Sequence, residues 1–267
     1  MERNPMLFDG SISRNYDHYL GPFLFEPYAA DLVSRIEFTG GSNILELACG
    51  TGVVTRRLAG HLSGADELTA TDINPDMLGV AQEKISSPNV CWDTVDMGAI
   101  PYEHELFDTV VCQFGLMFAM DKDKAVTEMH RVLKTGGKLL FNVWATIADN
   151  PVLRIFDTLT SQFFPNVPLR SEVGPFSMSD ETFGLSLLQR AGFTHCKVES
   201  VRVTGVCDTA AGAADGFTIG SPLYSFIKKD PAVGERFRGA LEEAFVSELG
   251  GDPVRSPLRA LVFSAEK

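Results

Sequence analysis

From about residue 43 onward, the chain alternates short apolar runs with segments that have the spacing of amphipathic helices. Runs of this kind between helical segments are typical of a largely parallel sheet with helices on both faces. The sequence therefore predicts an α/β fold with seven strands. We place them at residues 43–48, 68–72, 89–95, 107–112, 138–144, 194–204 and 258–265.

The segment after the fourth predicted strand is predicted to be a helix. Asp121 is suited to cap the start of a helix, and Gly136-Gly137 is suited to end it. The apolar residues between them recur on one helical face, as expected for a helix that covers a sheet. They are Ala125, Val126, Met129, Val132 and Leu133.

Two parts of the chain lie outside this alternation. Residues 1–40 hold an aromatic-rich stretch that we interpret as a lid or covering helix, and residues 41–267 form the main domain. Insertions at about 145–180 and 206–253 are expected to form a helical cap over the strand ends, because 267 residues leave little room for two independent domains.

Charge argues against a nucleic-acid substrate. Lys and Arg number 23 against 35 Asp and Glu, which gives a formal net charge of −12. A polyanion would be repelled by that average field. We therefore expect a small-molecule substrate and no nucleic-acid partner.

The cysteines and the apolar runs also exclude some functions. The five cysteines are scattered without a CxxC pair, so we predict neither a disulfide framework nor a metal site, and expect them to be small core residues. No stretch approaches the roughly 20 apolar residues that a membrane span requires, and residues 1–20 lack the apolar run of a signal peptide. A soluble, cytoplasmic protein is expected.

The most informative motif is NILELACGTGVVTRRLA at residues 43–59, which predicts a strand, a turn with Gly50 and Gly52, and a helix. Glycines in such a turn let the backbone approach a ligand closely, and helix N-terminal amides attract negative charge. Many nucleotide-binding folds have the same arrangement of strand, glycine turn and helix. Taken alone, it is a weak signal.

Two residues distinguish the motif from a dinucleotide fingerprint. That fingerprint has a third Gly or Ala where this chain has Thr55. Glu46, at the carboxyl end of the strand, would repel a diphosphate but would suit an ammonium group. S-adenosylmethionine has such an ammonium group and no phosphate.

Two further acids follow the next strands. Asp72 in ATDINPDML ends the second strand, where an acid can accept hydrogen bonds from both ribose hydroxyls. Asp96 in VDMGAIPY ends the third strand, where it can accept from an adenine amino group. Acids at three successive strand ends are therefore suited to bind a ligand that has an amine, a diol and an adenine.

With these motifs, and with FDTVVCQFGLMFAMDKDKAVTEMHRVLKTGGKLLFNVW after them, residues 43–145 resemble class I S-adenosylmethionine-dependent methyltransferases. The branch is the one that includes ubiquinone and menaquinone biosynthesis methyltransferases. The resemblance implies a Rossmann-like, mostly parallel sheet whose last strand is antiparallel. It also implies S-adenosyl-L-methionine as cofactor, S-adenosyl-L-homocysteine as product, and no metal.

The resemblance also assigns candidate residues. Glu46 would contact the methionine amine, Asp72 the ribose and Asp96 the adenine, with Ile73 against the adenine ring. Ala48 stands where the family often has Gly, and its methyl group is expected to be tolerated. The full predicted cofactor set is Tyr19, Glu46, Ala48, Gly50, Gly52, Asp72, Ile73, Met77, Asp96, Met97 and Gln113.

The acceptor is expected beside the ends of the fourth and fifth strands, since ligands of open α/β sheets bind beyond those ends. The predicted acceptor pocket consists of Phe114, Phe118, Trp144 and Tyr224. Aromatic residues in the insertions, among them Phe163, Phe164 and Phe217, favour an apolar or aromatic acceptor. Several of these residues have an equally simple interpretation as core, including Phe114, Met77 and Tyr19.

Three functions remain open at this stage. The leading one is methyl transfer to an O, N or activated C nucleophile of a small molecule. The second is binding of S-adenosylmethionine in a non-methylating role such as cyclisation, and the third is an NAD-dependent oxidoreductase. Thr55 and Glu46 speak against the third. No residue is assigned as a catalytic base.

Overall fold

A computed structural model describes residue 8 and residues 10–167 and 174–267. These residues contain one seven-stranded sheet with the strand order β3-β2-β1-β4-β5-β7-β6. The strands are β1 (Asn43–Glu46), β2 (Glu67–Asp72), β3 (Val90–Thr94), β4 (Phe107–Gln113), β5 (Leu133–Trp144), β6 (Thr194–Cys207) and β7 (Val254–Glu266).

Strands β1 to β5 pair in parallel, and β7 pairs antiparallel with β5. Parallel neighbours end at the same edge of a sheet, so the carboxyl ends of the first five strands form one continuous edge. The α/β fold class with an antiparallel last strand is confirmed.

Helices connect these strands. They are α1 (Gly10–Asn15), a π-helix (Tyr16–Phe25), α2 (Glu26–Ser34), α3 (Val53–Ala59), α4 (Pro75–Lys84), α5 (Lys122–Val132), α6 (Pro151–Phe163), α7 (Glu181–Arg190), α8 (Ala210–Ile219), α9 (Tyr224–Ile227) and α10 (Pro231–Leu249). Short 3₁₀ turns lie at Leu116–Phe118 and Ile147–Asp149.

The chain divides into two compact units. The larger unit comprises Ala29–Ala145, Gly174–Val201 and Ala260–Lys267, and so contains β1 to β5. The smaller unit comprises Met1–Tyr28, Thr146–Val173 and Arg202–Arg259. The predicted insertion at 145–180 includes residues 168–173, which lie outside the described part of the chain.

Each unit has its own buried core. In the larger unit, the second half of α2 packs with α3 and the first strands, through residues such as Leu32, Leu58 and Ile44. In the smaller unit, an aromatic cluster joins α6, α8 and α10, with Phe156 4.8 Å from Phe217 and 6.2 Å from Phe237 between ring centroids. Burial of such apolar surface stabilises each unit.

Two expectations from the sequence are wrong in detail. Asp121 caps α5 as predicted, its carboxylate accepting from the Lys124 amide at 2.9 Å, and the helix ends at Val132, one residue before the predicted end at Leu133. Gly136-Gly137 instead lies within β5, where the register with β4 shifts. A glycine here allows a positive φ of 77° at Gly136 and a close backbone approach at Gly137.

The cysteines are the second correction. Cys49 and Cys112 are buried, as expected of small core residues, but Cys91 is exposed and Cys196 and Cys207 are half-buried. Cys91 lies in β3, an edge strand of the sheet whose residues alternate in exposure. An edge strand covers only part of its side chains, which explains the difference.

Candidate active site

The three acids predicted from the sequence follow neighbouring strands. Glu46 ends β1, Asp72 ends β2, and Asp96 comes two residues after β3. These strands are adjacent and parallel in the sheet. All three carboxylates therefore lie along one edge, in the order Asp96, Asp72, Glu46, with the end of β4 next in the row.

Glu46 is the most unusual of the three. Its side chain is buried, with 1% of the residue exposed, and its Oε2 atom has no hydrogen-bond partner among the described residues. Burial raises the pKa of Glu46 to about 8, and the negative charge of Asp72 adds to this rise. Thr55 opposes the rise, but a buried carboxyl oxygen without a partner is costly, so Oε2 is suited to accept a hydrogen bond from a bound donor.

The turn after β1 holds three residues in the left-handed region. Ala48, Gly50 and Gly52 have φ values of 54°, 56° and 82°. A side chain at Gly52 would meet Ile85 of the α4 end at 2.7 Å, so this glycine lets the turn pack closely. At Gly50, an added Cβ would meet no described atom within 4 Å, so conformation rather than space selects glycine there.

Asp72, at the end of β2, forms hydrogen bonds with the backbone of this turn. One carboxylate oxygen accepts from the Gly50 amide at 2.8 Å, and the other accepts from the Asn74 amide at 2.8 Å. Only 8% of Asp72 is exposed, and burial raises its pKa. Each oxygen keeps further lone pairs, so the carboxylate is held rigidly and can still accept from a diol.

The start of α4 follows directly. The Asn74 side chain caps the helix by accepting from the Asp76 and Met77 amides at 2.9 and 3.4 Å, and Pro75 occupies the first helical position. Met77 is buried, which agrees with a core role, whereas Ile73 is 65% exposed. An exposed Ile at this edge is consistent with the predicted contact to an adenine ring.

Asp96 is exposed and accepts from the Gly98 amide at 2.8 Å, with half-buried Met97 between them. The loop after it is held by Arg131 of α5, which donates to the carbonyl oxygens of Ile100 and Tyr102 at 2.7 Å each. Sequence reasoning missed this clamp. In the sequence, Arg131 is a single Arg at the end of an amphipathic helix. Exposed residues on helix surfaces show the same pattern, so it does not indicate this contact.

At the end of β4, the Phe114 ring stacks on Trp144 with centroids 4.1 Å apart and planes 19° apart. Both rings are buried, and Phe114 has a φ of 49°, which is rare for a bulky residue. Gln113 comes just before it, and Phe118 nearby is 47% exposed. The structure thus brings together the predicted residues of the fourth and fifth strands.

Tyr19 and Tyr224 belong to the smaller unit. Tyr19 is half-buried in the π-helix, and α8 can approach it closely because Gly216 has no side chain. Tyr224 is half-buried at the start of α9. Their predicted roles toward cofactor and acceptor stay predictions.

The aromatic residues of the insertions have a local explanation. Phe163 and Phe164 pack on Phe237 with centroids 5.6 and 5.3 Å apart, and Phe217 packs on Phe245 at 5.7 Å. Phe217 is 3% exposed. Their aromatic character is accounted for by the core of the smaller unit, and it no longer argues for an aromatic acceptor.

Comparisons with known proteins match this site. Residues 44–137 match the family model described as "Methyltransferase domain". Over these residues the chain is similar to that family. The match spans β1, the glycine turn and the ends of β2, β3 and β4. It confirms the resemblance to S-adenosylmethionine-dependent methyltransferases and favours it over the NAD-dependent alternative.

The curated relatives that the chain resembles include methyltransferases. The ubiquinone/menaquinone biosynthesis C-methyltransferase UbiE of Pasteurella multocida is 34% identical over 131 residues, which are 48% of this chain and 49% of that protein. The chain therefore spans about half the length of the curated relatives it matches.

Solved structures show the same fold. Phosphoethanolamine N-methyltransferase 2 of Haemonchus contortus, solved in complex with S-adenosyl-L-methionine, is 16% identical with a TM-score of 0.59, over 96% of this chain and 56% of that one. The cyclase SpnF is 20% identical with a TM-score of 0.58, over 91% and 80%. At these identities the likeness concerns the fold alone.

Within residues 10–167 and 174–267, His, Cys, Asp and Glu side chains form no group that could hold a metal ion. None of the helices described in those ranges is long and apolar enough to cross a membrane.

Proposed function

We propose that this chain binds S-adenosylmethionine at the carboxyl edge of β1 to β4 and transfers its methyl group to a small molecule. One observation carries the proposal: Glu46 is a buried carboxyl group with an unpartnered oxygen beside a glycine turn. An ammonium group would suit such an oxygen, because a charge-assisted hydrogen bond offsets the cost of burying the carboxylate.

The remaining residues fit the rest of that cofactor. Asp72 would accept from the ribose hydroxyls, and Asp96 from the adenine amino group, with Ile73 against the ring. Gly50 and Gly52 would let the backbone pass under the ligand. When bound, S-adenosylmethionine supplies a methyl group on a positively charged sulfur.

The chain's contribution to transfer is alignment. Displacement at a methyl group needs an acceptor atom in line with the sulfur, and well-oriented reactants can gain roughly 7–11 kcal/mol of the barrier. The stacked rings of Phe114 and Trp144 provide a rigid apolar wall at the end of β4 and β5. Such a wall would position the acceptor and exclude water from it.

An acceptor without negative charge fits this edge. Glu46, Asp72 and Asp96 all lie there, and the chain as a whole carries a net charge of −12. An anionic acceptor would be repelled. Phe114, Trp144 and half-exposed Phe118 favour a molecule with an apolar or aromatic body.

Calorimetry with S-adenosylhomocysteine, S-adenosylmethionine and NAD tests the cofactor. We expect the first two to bind and NAD to bind more weakly or not at all. Glu46→Gln should weaken S-adenosylhomocysteine binding at least tenfold, because a neutral amide loses the charge of the ammonium contact. Tighter binding of NAD than of S-adenosylhomocysteine would show that the cofactor assignment is wrong.

Transfer itself needs a separate experiment. Phenols, aromatic amines and hydroquinones would be incubated with the protein and S-adenosylmethionine, and formation of S-adenosylhomocysteine measured against a Glu46→Gln control. Cofactor binding without any transfer across such a panel would favour the non-methylating role, of which a cyclase with this fold is an example.

A further inference from the structure

The loop that follows β3 carries Asp96 and folds into a turn directly after the strand. The Asp96 carboxylate accepts from the Gly98 amide at 2.8 Å, and the Asp96 carbonyl accepts from the Ala99 amide at 2.9 Å. A carboxylate has about four acceptor positions, and the contact to Gly98 uses one of them. Asp96 can therefore accept a further hydrogen bond from a bound molecule, provided that the loop holds it in place.

Two side chains of α5 hold this loop by its backbone. Ile100, which is 4% exposed, donates its N–H to Glu128 Oε2 at 3.0 Å, and its carbonyl oxygen accepts from Arg131 Nη2 at 2.7 Å. Arg131 Nη1 donates to the Tyr102 carbonyl, also at 2.7 Å. Buried backbone groups need such partners, because an unpaired group costs stability. Both backbone groups of Ile100 are thus satisfied by side chains of one helix.

Glu128 and Arg131 also form an ion pair with each other. They lie three residues apart on α5, a spacing that makes two side chains neighbours on one helix face. Arg131 Nε donates to Glu128 Oε1 and Nη2 donates to Oε2, both at 2.8 Å, and the Glu128 and Arg131 side chains are 19% and 21% exposed. Arg131 lowers the pKa of Glu128, so the pair is charged at neutral pH. This two-bond contact fixes the plane of the guanidinium group, which presents its other N–H bonds to the loop.

The far end of the loop is fixed on the end of the same helix. Glu105 and Leu106 donate their N–H groups to the carbonyl oxygens of Arg131 and Val132, at 3.1 and 2.9 Å. Glu105 has a φ of 56°, a conformation that a residue with a Cβ keeps only when surrounding contacts hold it. These contacts set where the loop returns to β4. The Glu128–Arg131 pair sets the path of the chain between that point and Asp96.

We propose that the Glu128–Arg131 ion pair positions Asp96 and thereby sets the preference of the site for adenine over a base without the amino group. This rests on the proposed function, in which Asp96 accepts from the adenine amino group. Glu128 and Arg131 are positioning residues that act through the loop backbone. A site with an acceptor for an amino group rejects a base that has an oxygen there, because the acceptor is left unpaired and the two oxygens repel.

The experiment compares S-adenosylhomocysteine with S-inosylhomocysteine, in which an oxygen replaces the amino group of adenine. We expect the wild-type protein to prefer the first by about tenfold or more. Arg131→Met removes the ion pair and both carbonyl contacts to the loop. In this variant, S-adenosylhomocysteine affinity should fall about tenfold, while S-inosylhomocysteine affinity should change by less than about twofold. The ratio of the two affinities, measured by calorimetry, is the readout.

Arg35→Met is the matched control. Arg35 forms a two-bond ion pair with Asp31 at 2.8 and 3.1 Å, and the two side chains are 21% and 25% exposed, much like the pair on α5. Its partners, Asp31 and Glu199, lie outside the loop. Loss of this pair should leave the affinity ratio unchanged. A general loss of stability would move both ligands together, whereas loss of positioning moves the ratio.

Thermal unfolding without ligand would show whether each variant retains its fold. If Arg131→Met unfolds, Glu128→Gln provides a second probe, because it removes the charge of the pair with a change of only one atom type. It should lower the affinity ratio in the same direction. Asp96→Ala adds a test of the route: once the acceptor is gone, adding Arg131→Met should change S-adenosylhomocysteine affinity by less than about twofold.

Several results would overturn the inference. They are equal losses of both ligands in Arg131→Met, additive effects when Asp96→Ala is combined with Arg131→Met, and an unchanged ratio in both Arg131→Met and Glu128→Gln. A wild-type protein that binds S-adenosylhomocysteine without preferring it over S-inosylhomocysteine would also overturn it, and would leave the cofactor assignment standing. If the wild-type protein binds neither ligand, the proposed function itself has failed.

Discussion

Ala48 and Gly115 fit each other in the larger unit: a Cβ atom on Gly115 would lie 2.3 Å from the Cβ of Ala48. The methyl group of Ala48 is accommodated because residue 115 has no side chain. Ala48 also has a φ of 54°, which disfavours any residue with a Cβ. The glycine turn after β1 and the turn after β4 are therefore coupled.

Gly115→Ala should destabilise the protein by about 1–3 kcal/mol, the usual cost of overpacking a close contact. The added methyl would also meet Cys112 Sγ at 2.9 Å. Adding Ala48→Gly should recover part of the loss, since residues in contact couple by about 0.5–3 kcal/mol. Urea unfolding of the two single variants and the double variant measures this, and strictly additive effects would contradict the coupling.

Asp72→Ala should weaken S-adenosylhomocysteine binding by about 1.5–3 kcal/mol, through loss of charge-assisted hydrogen bonds to the ribose. It should also loosen the turn at Gly50, whose amide it holds. Isothermal titration calorimetry measures the affinity.

Asp66→Ala is a matched control for this change. Asp66 immediately precedes β2, whereas Asp72 ends it, and Asp66 is equally buried and accepts from the Ser42 and Ser63 amides at 2.8 and 2.6 Å. We expect it to lower stability without changing ligand affinity. If both variants lose the same affinity, Asp72 acts only through the fold.

The pKa of Glu46 has a consequence for stability. Because burial raises it from 4.5 to about 8, the folded protein binds a proton there that the unfolded chain releases above pH 4.5. The contribution of Glu46 is therefore fully present below pH 4.5 and is lost as the pH rises through about 8. Urea midpoints from pH 4.5 to 8.5 should fall more steeply in the wild-type protein than in Glu46→Gln.

The same group should release a proton when the cofactor binds. An ammonium group beside Glu46 favours its charged form, so its pKa should fall in the complex. Titrations of S-adenosylhomocysteine at pH 7 in buffers of different ionisation enthalpy should give heats that depend on the buffer. The dependence should be absent in Glu46→Gln, and buffer-independent heats for the wild-type protein would contradict the prediction.

Much of the fold could be predicted from the sequence, because β1, β2 and β4 are each followed along the chain by a helix with amphipathic spacing. The start of β5, predicted at residue 138, was misplaced for a physical reason. Gly136-Gly137 is a typical helix stop in sequence, yet tertiary pairing of β5 with Phe107 extends the strand back to Leu133. Strand pairing of this kind is not visible in local propensity.

The site was readable only in part. Acids at strand ends have a recognisable spacing, so Glu46, Asp72 and Asp96 could be named. Asn142, in the β5 segment LLFNVW, is noticeable in the sequence as one amide among six residues that are otherwise apolar. The register that places it opposite Gln113 is not visible in the sequence. The close approach of Ala48 to Gly115 joins residues far apart in sequence and could not be anticipated.

Phe118 allows the clearest test of where the acceptor binds. Trp144 and Phe114 are buried and stacked, so truncating either would cost about 3–5 kcal/mol of stability and confuse the result. Phe118 is 47% exposed and lies in the 3₁₀ turn that follows Phe114 along the chain. Phe118→Ala should therefore lower the rate of methyl transfer, or raise the KM for an acceptor found in the phenol and amine panel, without unfolding the protein.

Met120, two residues later and 98% exposed, is the control, and Met120→Ala should behave like the wild-type protein. In both variants, S-adenosylhomocysteine affinity should stay within a few-fold of normal, because Glu46, Asp72 and Asp96 are untouched. Initial rates of S-adenosylhomocysteine formation, measured against acceptor and cofactor concentration in turn, distinguish the two sites. If Phe118→Ala raises the KM for the cofactor and spares that for the acceptor, this turn belongs to the cofactor site and the acceptor binds elsewhere.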